Sequence, residues 1–509
     1  KKRIDYSVST KNKGGDKFNI RFKRKSRMQM PIDFTIISND LKVYNYHIPN
    51  TWFIKKTDAT ILAKWHGWDL LYPEYNVELE VPTGIKEVII DPSNRLADAY
   101  MPDNNSKNNI SYTFDHNLWQ SPDWTKYEVK YRPDIWWNNY DGMKLGFNIK
   151  GGYLNHHHLF DASAWINTSL LQQNDISNSE NYNTYSYKFN YNSNIDNISL
   201  NTRVNLNTEF LEGLYVNSLS LNKYSLKKNY TLSIKLLSLY RTKSENYLLY
   251  PELWDTQKLN NRIDVNLKKE YKYKNGKGSI NLSLQSSAIG SDYDYQKFIF
   301  SNINSTRINK LKIKSRLFMQ IGSGDNWAKE SMLHLAGANN EELMNSKYTR
   351  STGFIPQDYV GFENNTNHFH AGGGLNLRGY AGYLVPDIEN RELTFNYQGT
   401  SGASINIEID YTNYLPNFLR KTNLSSYVFA DAGSITNESI KKNNIKEALI
   451  DVRADAGLGF TYSFRNFGPL ETIRPLTIRL DLPLILNVIP EQEDSYINMR
   501  WLIGINKTF

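Results

Sequence analysis

Cysteine is absent from this chain of 509 residues. Its absence excludes disulfide bonds, thiolate metal sites and a cysteine nucleophile. Long apolar runs are missing as well: no stretch approaches about 18 uninterrupted apolar residues, which excludes a membrane-spanning helix. The same shortage leaves room for a β-barrel in a membrane, because alternate residues of such a barrel face a polar lumen.

The charge balance has no concentrated basic region, although the formal net charge is +8. The lysines are scattered through alternating segments without a basic helix or cluster, so we predict no nucleic-acid partner. The N-terminal stretch KKRIDYSVSTKNKGG is basic but has no apolar core, so it does not read as a signal peptide. We expect that such a peptide has been removed or that the sequence is an excerpt.

Apolar and polar residues alternate with period two through most of the chain after residue 120. In RIDVNLK at 262–268, Ile263, Val265 and Leu267 alternate with charged and amide side chains. This pattern indicates strands with one dry face and one wet face. We predict sixteen strands, near 127–138, 142–154, 157–169, 183–194, 197–211, 213–224, 228–242, 256–272, 277–290, 293–303, 309–322, 402–412, 423–432, 451–464, 473–485 and 498–509.

Two features favour a membrane barrel over a soluble β-sandwich or repeat array, which would also alternate. Tyrosine and tryptophan concentrate near strand ends, as at Trp136, Trp137 and Tyr240, where interfacial girdles lie. The polar faces carry charges in mid-strand, which suits a wet lumen. We therefore predict an all-β fold, a sixteen-stranded antiparallel transmembrane β-barrel, closed so that no backbone edge faces lipid.

The rest of the chain divides into smaller regions. Residues 106–125 are rich in Asn and Ser and are predicted to be a linker. The barrel takes 126–509, within which 323–400 is too long and irregular for a turn and is predicted to be a long inward loop. Residues 1–105 are predicted to form a small β-sandwich, with proline-punctuated strands near 17–23, 31–37, 41–47, 76–81 and 86–91.

The motif LRGY at 377–380 lies within the glycine-rich stretch AGGGLNLRGYAGYLVPD at 371–387. It resembles the signature of the long sixth extracellular loop in the superfamily that contains the outer-membrane protein assembly insertase and the two-partner secretion transporters. In that superfamily the loop folds into the lumen, and its arginine meets an aspartate in a motif like F-x-D-x-G, on the second strand after the loop. FADAG at 429–433 supplies that aspartate here. The resemblance implies a structural loop lock made by Arg378, Gly379, Tyr380, Asp431 and Gly433.

Arginine suits such a lock because its fork makes a bidentate, charge-assisted contact with a carboxylate, which the point charge of lysine cannot reproduce. The surrounding glycines allow positive φ and a tight fold against the wall. The alternative interpretation is that Arg378 is a solvated loop arginine and that the glycines are turn residues.

The last segment, MRWLIGINKTF, alternates and ends on Phe509. It resembles the C-terminal strand by which bacterial outer-membrane proteins are recognised during assembly. Pro133 lies within the first predicted barrel strand and cannot donate to a ladder. We predict a weak seam marked by Pro133 and Phe509, with few hydrogen bonds between 127–138 and 498–509.

A second resemblance concerns the N-terminal region. KNKGG at 11–15, MPIDFTI at 30–36 and KEVIIDPSNRLADAYMPDNN at 86–105 resemble the C-terminal β-sandwich of bacterial zinc aminopeptidases of the gluzincin type. Their catalytic domain needs an H-E-x-x-H helix, and none of the nine histidines here is followed by glutamate. We therefore predict no catalytic residue, metal or cofactor in this chain. Zinc would belong to a peptidase-like domain that we expect upstream of residue 1, unless the sandwich has been reused as a periplasmic module.

Other polar clusters are interpreted as structural. A solvated turn is expected for the adjacent histidines His156, His157 and His158. A loop is expected for His368 and His370, and the lumen wall for Asp451, Asp455 and Asp481.

These observations predict a barrel in the bacterial outer membrane, with its N-terminal domain in the periplasm, that takes part in outer-membrane protein assembly or polypeptide translocation. No repeated POTRA-type units are visible, which sets the chain apart from the usual insertases and transporters. Two hypotheses stay open beside it: an anchor or exporter of a fused zinc aminopeptidase-like domain, and a structural subunit of an outer-membrane complex. The predicted partners are outer-membrane lipids and lipopolysaccharide, polypeptide substrates, and other assembly or secretion subunits.

Overall fold

The computed structural model describes fifteen ranges of the chain, which fall into two compact units. The first unit comprises Lys1–Arg132, Asn148–Ala162 and Tyr191–Asn201, and the second comprises Pro133–Phe147, Ser163–Asn190 and Thr202–Phe509. The described residues are 3–115, 121–154, 156–172, 182–196, 198–225, 227–245, 247–354, 368–382, 386–389, 392–395, 397–417, 423–436, 452–464, 476–489 and 493–505.

The N-terminal part of the first unit consists of two sheets over one apolar core. One sheet has the strand order β1-β2-β6 and the other β5-β4-β3-β7. Inward residues of both sheets, among them Phe22, Phe34 and Val88, are fully buried together. The strands are β1 (Tyr6–Gly14), β2 (Lys17–Arg24), β3 (Ile32–Ser38), β4 (Val43–Ile48), β5 (Thr60–Ile61), β6 (Glu74–Glu80) and β7 (Ile85–Ile90).

The segment after these sheets is more ordered than its composition predicts. A 3₁₀ turn spans Met101–Asn104, and β8 (Ile110–Phe114) lies inside the predicted linker. β8 pairs in parallel with the start of β9 (Tyr127–Asn138), from Ile110 opposite Tyr127 to Phe114 opposite Tyr131. The linker prediction for 106–125 therefore missed a strand, because Asn- and Ser-rich composition does not reveal pairing with a distant edge.

A closed sheet follows, with the order β10 to β19, then β21, β25 to β29, β8 and β9, and a direct β19–β25 pairing in addition. Its further strands are β10 (Gly142–Tyr153), β11 (His157–Asn167), β12 (Tyr185–Asn194), β13 (Thr202–Leu211), β14 (Leu214–Ser225), β15 (Tyr230–Arg241), β16 (Leu259–Tyr273), β17 (Gly276–Ser287), β18 (Asp294–Ile308), β19 (Leu311–Asn326), β21 (His368–Phe369), β25 (Ser401–Asp410), β26 (Leu424–Thr436), β27 (Arg453–Phe464), β28 (Leu476–Leu486) and β29 (Leu502–Ile505).

The wall of this barrel is apolar outside and polar inside. In β16, Ile263 and Leu267 are exposed, whereas Asn260, Arg262 and Asp264 are buried. This distribution of apolar and polar side chains is the reverse of that in a soluble protein, in which charged side chains are almost never fully buried.

The predicted all-β barrel is confirmed by this closed sheet. The count of sixteen strands and the wholly antiparallel pairing stay predictions. The short segments β8 and β21 also enter the sheet, and both pair in parallel, with β9 and β29 respectively. Some strand boundaries were wrong. The segment from 197, predicted as part of a strand, begins pairing only at Thr202, so Ile198 and Leu200 lie in the preceding turn. β18 continues past its predicted end at 303, to Ile308.

The predicted inward loop carries short elements of its own. They include β20 (Leu333–His334), α1 (Asn340–Leu343), β22 (Pro386–Glu389), β23 (Glu392–Phe395) and β24 (Gln398–Gly399). α1 begins with a capping box in which Asn339 and Glu342 each bond the other's backbone. Within the loop, 3₁₀ turns span Lys329–Ser331 and Arg378–Tyr380. Two further 3₁₀ turns, at Pro251–Leu253 and Thr412–Tyr414, lie outside the loop.

Candidate functional site: a buried arginine inside the barrel

Arg378 is carried into the barrel by an apolar segment of the loop. Leu375 and Leu377, immediately before it, are fully buried. They pack in one cluster with Phe318 of β19 and Leu486 of β28. Burial of leucine side chains stabilises the segment by about 1.5–3 kcal/mol each, so the arginine enters a pocket that is already held by packing.

The guanidinium of Arg378 is fully buried and makes a two-point contact with Asp431 of β26. Its Nε donates to Asp431 Oδ2 at 2.7 Å, and its Nη2 donates to Oδ1 at 3.0 Å. Its Nη1 donates to Glu408 Oε1 of β25 at 2.9 Å. The structure thus brings together the arginine and the aspartate that the resemblance pairs.

Two further groups complete the surroundings of Arg378. Asp481 of β28 places its Oδ2 3.6 Å from Arg378 Nη1, and the ring of Phe429 lies 3.7 Å from the guanidinium carbon. Burial by itself would lower the pKa of Arg378, but Asp431, Asp481 and Glu408 raise it well above its ordinary value. The arginine therefore stays charged, and its charge is shared among carboxylates of three strands.

The other residues of the predicted lock lie around this contact. Tyr380 donates its hydroxyl to Asn487 Oδ1 at 3.0 Å and to the Val488 carbonyl at 3.1 Å. Gly379 leaves no room for a side chain, because a Cβ there would lie 2.3 Å from Leu486 Cδ2 and 2.6 Å from Asp455 Cβ. Gly433 is equally constrained: its Cβ would lie 2.6 Å from the carbonyl oxygen of Ala403 on β25.

Sequence reasoning missed several members of this network. Glu408 was not singled out, although it shares the inward face of β25 with Asn406, whose side chain donates to Asp431 Oδ1 at 3.1 Å. Arg479 was missed too, and its Nε lies 3.0 Å from Asp481 Oδ2. The alternation of each strand could have identified these side chains as inward-facing, but not which of them meet. Of the three predicted wall aspartates, Asp455 and Asp481 are buried and Asp451 lies outside the described residues.

The loop is attached to the wall at several other places. Arg316 Nη2 of β19 donates to the Gly374 carbonyl at 2.7 Å, and Lys297 Nζ of β18 donates to the Ser331 carbonyl at 2.8 Å. Arg262 of β16 makes a bidentate ion pair with Glu341 of α1. These wall residues lie on β16, β18 and β19, so the loop is bonded to this side of the barrel wall as well as to β25, β26 and β28.

The closing region of the sheet is irregular at the predicted seam. Pro133 lies within β9, and no pairing among the described residues joins 133–138 directly to β29. Instead, among the described residues, β29 pairs with β28 from Leu502 to Ile505, and with the loop segment β21 at Leu502 and Ile503. The backbone of His370 continues this contact by donating to the Ile503 carbonyl at 2.8 Å. Phe509 lies outside the described residues.

His156 is exposed in the turn before β11, as predicted. His157 and His158 begin β11, and both rings pack edge-on against Tyr100. His370 is buried, and its Nδ1 lies 3.0 Å from Arg479 Nη2; the side chain of His368 lies outside the described part. Within the described ranges, no group of three or more metal-ligating side chains is suited to hold a metal ion. No helix described for this chain is long and apolar enough to cross a membrane.

Comparison with known proteins gives matches at the level of solved structures. No family model matches the sequence, and no curated protein matches it. BamA from Haemophilus ducreyi lacking POTRA domains 1–3 is similar over 73% of this chain and 69% of its own, with 12% identity and a TM-score of 0.39. The outer membrane protein OpdK from Pseudomonas aeruginosa matches 70% of this chain and 90% of its own, with 12% identity and a TM-score of 0.33. A BenF-like porin from Pseudomonas fluorescens Pf-5 matches 98% and 94%, with 9% identity and a TM-score of 0.34. Similarities this low do not assign a role to this chain.

Proposed function

We propose that this chain is an outer-membrane β-barrel that takes part in outer-membrane protein assembly or polypeptide translocation, with its N-terminal domain, residues 1–105, in the periplasm. The inverted wall supports the location. Exposed side chains such as Ile263 and Leu267 would contact lipid and lipopolysaccharide, while their polar neighbours face the interior.

In this proposal, Arg378 and Asp431 form the structural lock of the inward loop, with Gly379, Tyr380 and Gly433 fitting the loop to the wall. The lock would keep the lumen filled while the barrel is at rest. A fully buried arginine with carboxylates on β25, β26 and β28 ties the loop to three strands of the C-terminal part of the sheet. Movement of these strands would therefore displace the loop.

The closing region is the observation that carries the proposed function. A barrel that only had to be stable would pair its first and last strands along their length, because each unpaired backbone group costs free energy in lipid. Among the described residues, 133–138 of β9 are not paired directly with β29. A short loop segment, β21, occupies part of the edge of β29 that lies opposite β28. Such a seam can open and let a polypeptide strand pair with the exposed edge.

Photo-crosslinking tests this proposal. A photoreactive residue is placed at Ile503 of β29 or, as the matched control, at Ile405 of β25; both side chains are partly exposed on barrel strands. The full polypeptide is reconstituted into liposomes and given an unfolded outer-membrane β-protein as the probe. The proposal predicts crosslinks at Ile503 and few or none at Ile405. Equal capture at the two positions, or capture at neither, would contradict it.

A structural subunit is the second candidate, and the docking of the loop against the wall favours it. Buried residues of the loop, such as Leu375, pack against the wall and would leave little space for a transported chain. A structural subunit predicts no crosslink to the probe at Ile503, but co-purification of other outer-membrane components with the native protein. The hypothesis of a fused zinc aminopeptidase-like domain is tested separately, by zinc analysis and a peptidase assay on the full-length polypeptide.

A further inference from the structure

A tight turn at residues 68–72 of the first unit is firmly held by its backbone. Leu71 N donates to the Trp68 carbonyl at 2.8 Å. The buried Arg24 donates from Nη2 to the Leu71 carbonyl at 2.8 Å, and the buried Trp65 donates from Nε1 to the Tyr72 carbonyl at 3.0 Å. Because buried side chains fix two successive carbonyls, the turn has a defined orientation.

The side chains of this turn nevertheless point away from the core. Leu70 is 61% exposed, Leu71 63% and Tyr72 73%. Single exposed apolar residues are ordinary, but several together on an ordered turn mark an interaction surface. An orientation fixed by the core, combined with outward apolar side chains, is what an anchoring turn requires.

The apolar surface continues onto the turn that joins β12 to β13. Leu70 lines a cavity of about 580 Å³ together with Ile198 and Leu200, all within the first unit. Ile198 is 84% exposed. Turns between neighbouring strands of a membrane barrel lie at the membrane surface, so Leu70 is placed at the same level as a turn of that kind.

Charged residues in the same cavity fit the headgroup region of a phospholipid leaflet. Arg27, Lys25 and Arg3 line it. Arg27 Nε is 3.6 Å from Asp69 Oδ1, and Arg3 and Lys25 pair with Asp196 and Asp103 respectively. Exposed ion pairs such as that of Arg27 contribute little stability, so Arg27 can exchange its carboxylate for a lipid phosphate at little cost. Tyrosine and tryptophan beside leucine are also the side chains typical of membrane–water interfaces.

We propose that the surface formed by Leu70, Leu71, Tyr72, Ile198 and Leu200 enters the interfacial region of the phospholipid leaflet that faces the first unit. The inference rests on the proposed function, since it requires the barrel to lie in a membrane. It adds a second, peripheral contact with the membrane, made by residues outside the barrel wall. This contact would hold the first unit at the membrane surface.

The absence of cysteine makes the test direct. Single cysteines are introduced at Leu70, Ile198, Ile405 or Leu41 of the full chain, labelled with a nitroxide and reconstituted into phospholipid liposomes. Leu41 is the matched control: it is a leucine 64% exposed on the turn between β3 and β4. Ile405, on a barrel strand, tests whether the barrel lies in the bilayer at all. Collision of each label with oxygen, which concentrates in lipid, is compared with collision with a water-soluble nickel chelate.

We expect the ratio of oxygen to nickel collisions at positions 70 and 198 to exceed that at position 41 several-fold, and to approach the ratio at position 405. A label at 70 that is as accessible to nickel as the label at 41, while 405 reports lipid, would overturn the anchoring surface and leave the proposed function intact. A label at 70 that is shielded from both reagents would mean that protein covers it, which also overturns the inference. A nickel-accessible label at 405 would refute the membrane location itself.

Discussion

Replacement of Arg378 by alanine is expected to release the inward loop. The substitution removes the charge and the hydrogen bonds that Arg378 gives to the buried Asp431 and Glu408, and removal of one member of a buried ion pair costs about 3–5 kcal/mol. Each 1.4 kcal/mol is a factor of about ten in an equilibrium, so we expect the population with an undocked loop to rise roughly a hundredfold or more. Arg378→Lys keeps a charge but loses the two-point contact, and its effect should be smaller.

The assay uses a single cysteine at Ala381, which is fully buried beside the lock. A membrane-impermeant maleimide labels it only when the loop opens, so the labelling rate reports the undocked population. Arg316→Ala is the matched comparison, because Arg316 is also a buried arginine that binds the loop, but it donates to the neutral acceptors Asn406 Oδ1 and the Gly374 carbonyl. Leaving neutral acceptors unpaired costs about 1–3 kcal/mol, so this variant should accelerate labelling less. A cysteine at the exposed Ile308 should label equally in every background.

An unchanged labelling rate at position 381 in Arg378→Ala would contradict a lock made by this arginine. Faster labelling in Arg316→Ala than in Arg378→Ala would contradict it as well. The first result would mean that apolar packing alone holds the loop. The second result would mean that the ion pairs of Arg378 with the carboxylates contribute less to loop docking than the bonds of Arg316 to neutral acceptors.

Three further predictions concern other parts of the chain. Burial, and to a lesser extent neighbouring carboxylates, raises the pKa of Asp5 from 3.8 to about 7. Between these two values the folded first unit holds a proton that the unfolded chain releases, so the stability of this unit should fall as pH rises from about 4 to about 7. Asp5→Asn should flatten this pH profile, measured by hydrogen exchange of β1 after correction for the intrinsic pH dependence of exchange. Gly379→Ala should raise labelling of the cysteine at position 381, because its Cβ would clash with Leu486 and Asp455; labelling at the parental rate would contradict the close approach. Glu341→Gln should speed hydrogen exchange of α1 by weakening its ion pair with the wall, and unchanged exchange would show that the capping box alone orders this turn.

The regular strands could be predicted because each carries its own alternation. β9 runs over the predicted 127–138, and β16 buries alternate polar residues as the pattern of 262–268 indicates. β1 was missed because most of it is exposed, and it is held by its ladder with β2. β8 and β21 were missed for a related reason: short parallel pairings depend on the edge that a distant strand offers.

The candidate site could be predicted only in part. The choice of Arg378 and Asp431 came from a resemblance, whereas physical reasoning explained why an arginine suits the place. Glu408 and Asp481 were beyond prediction as partners, because their meeting depends on how far neighbouring strands are shifted along one another. The register that sets Asn406 opposite Asp431 and Asp431 opposite Asp455 is fixed by the whole sheet.

The most direct test of the central claim is a double-mutant cycle on Arg378 and Asp431. Loop docking is measured by maleimide labelling at position 381 in Arg378→Ala, Asp431→Ala and the double variant, each reconstituted in lipid. The account predicts that the double variant is far less perturbed than the sum of the two single changes, with a coupling free energy of about 1–3 kcal/mol, as for residues in one buried network. Additive effects would show that the arginine and the aspartate act independently, and would contradict the lock.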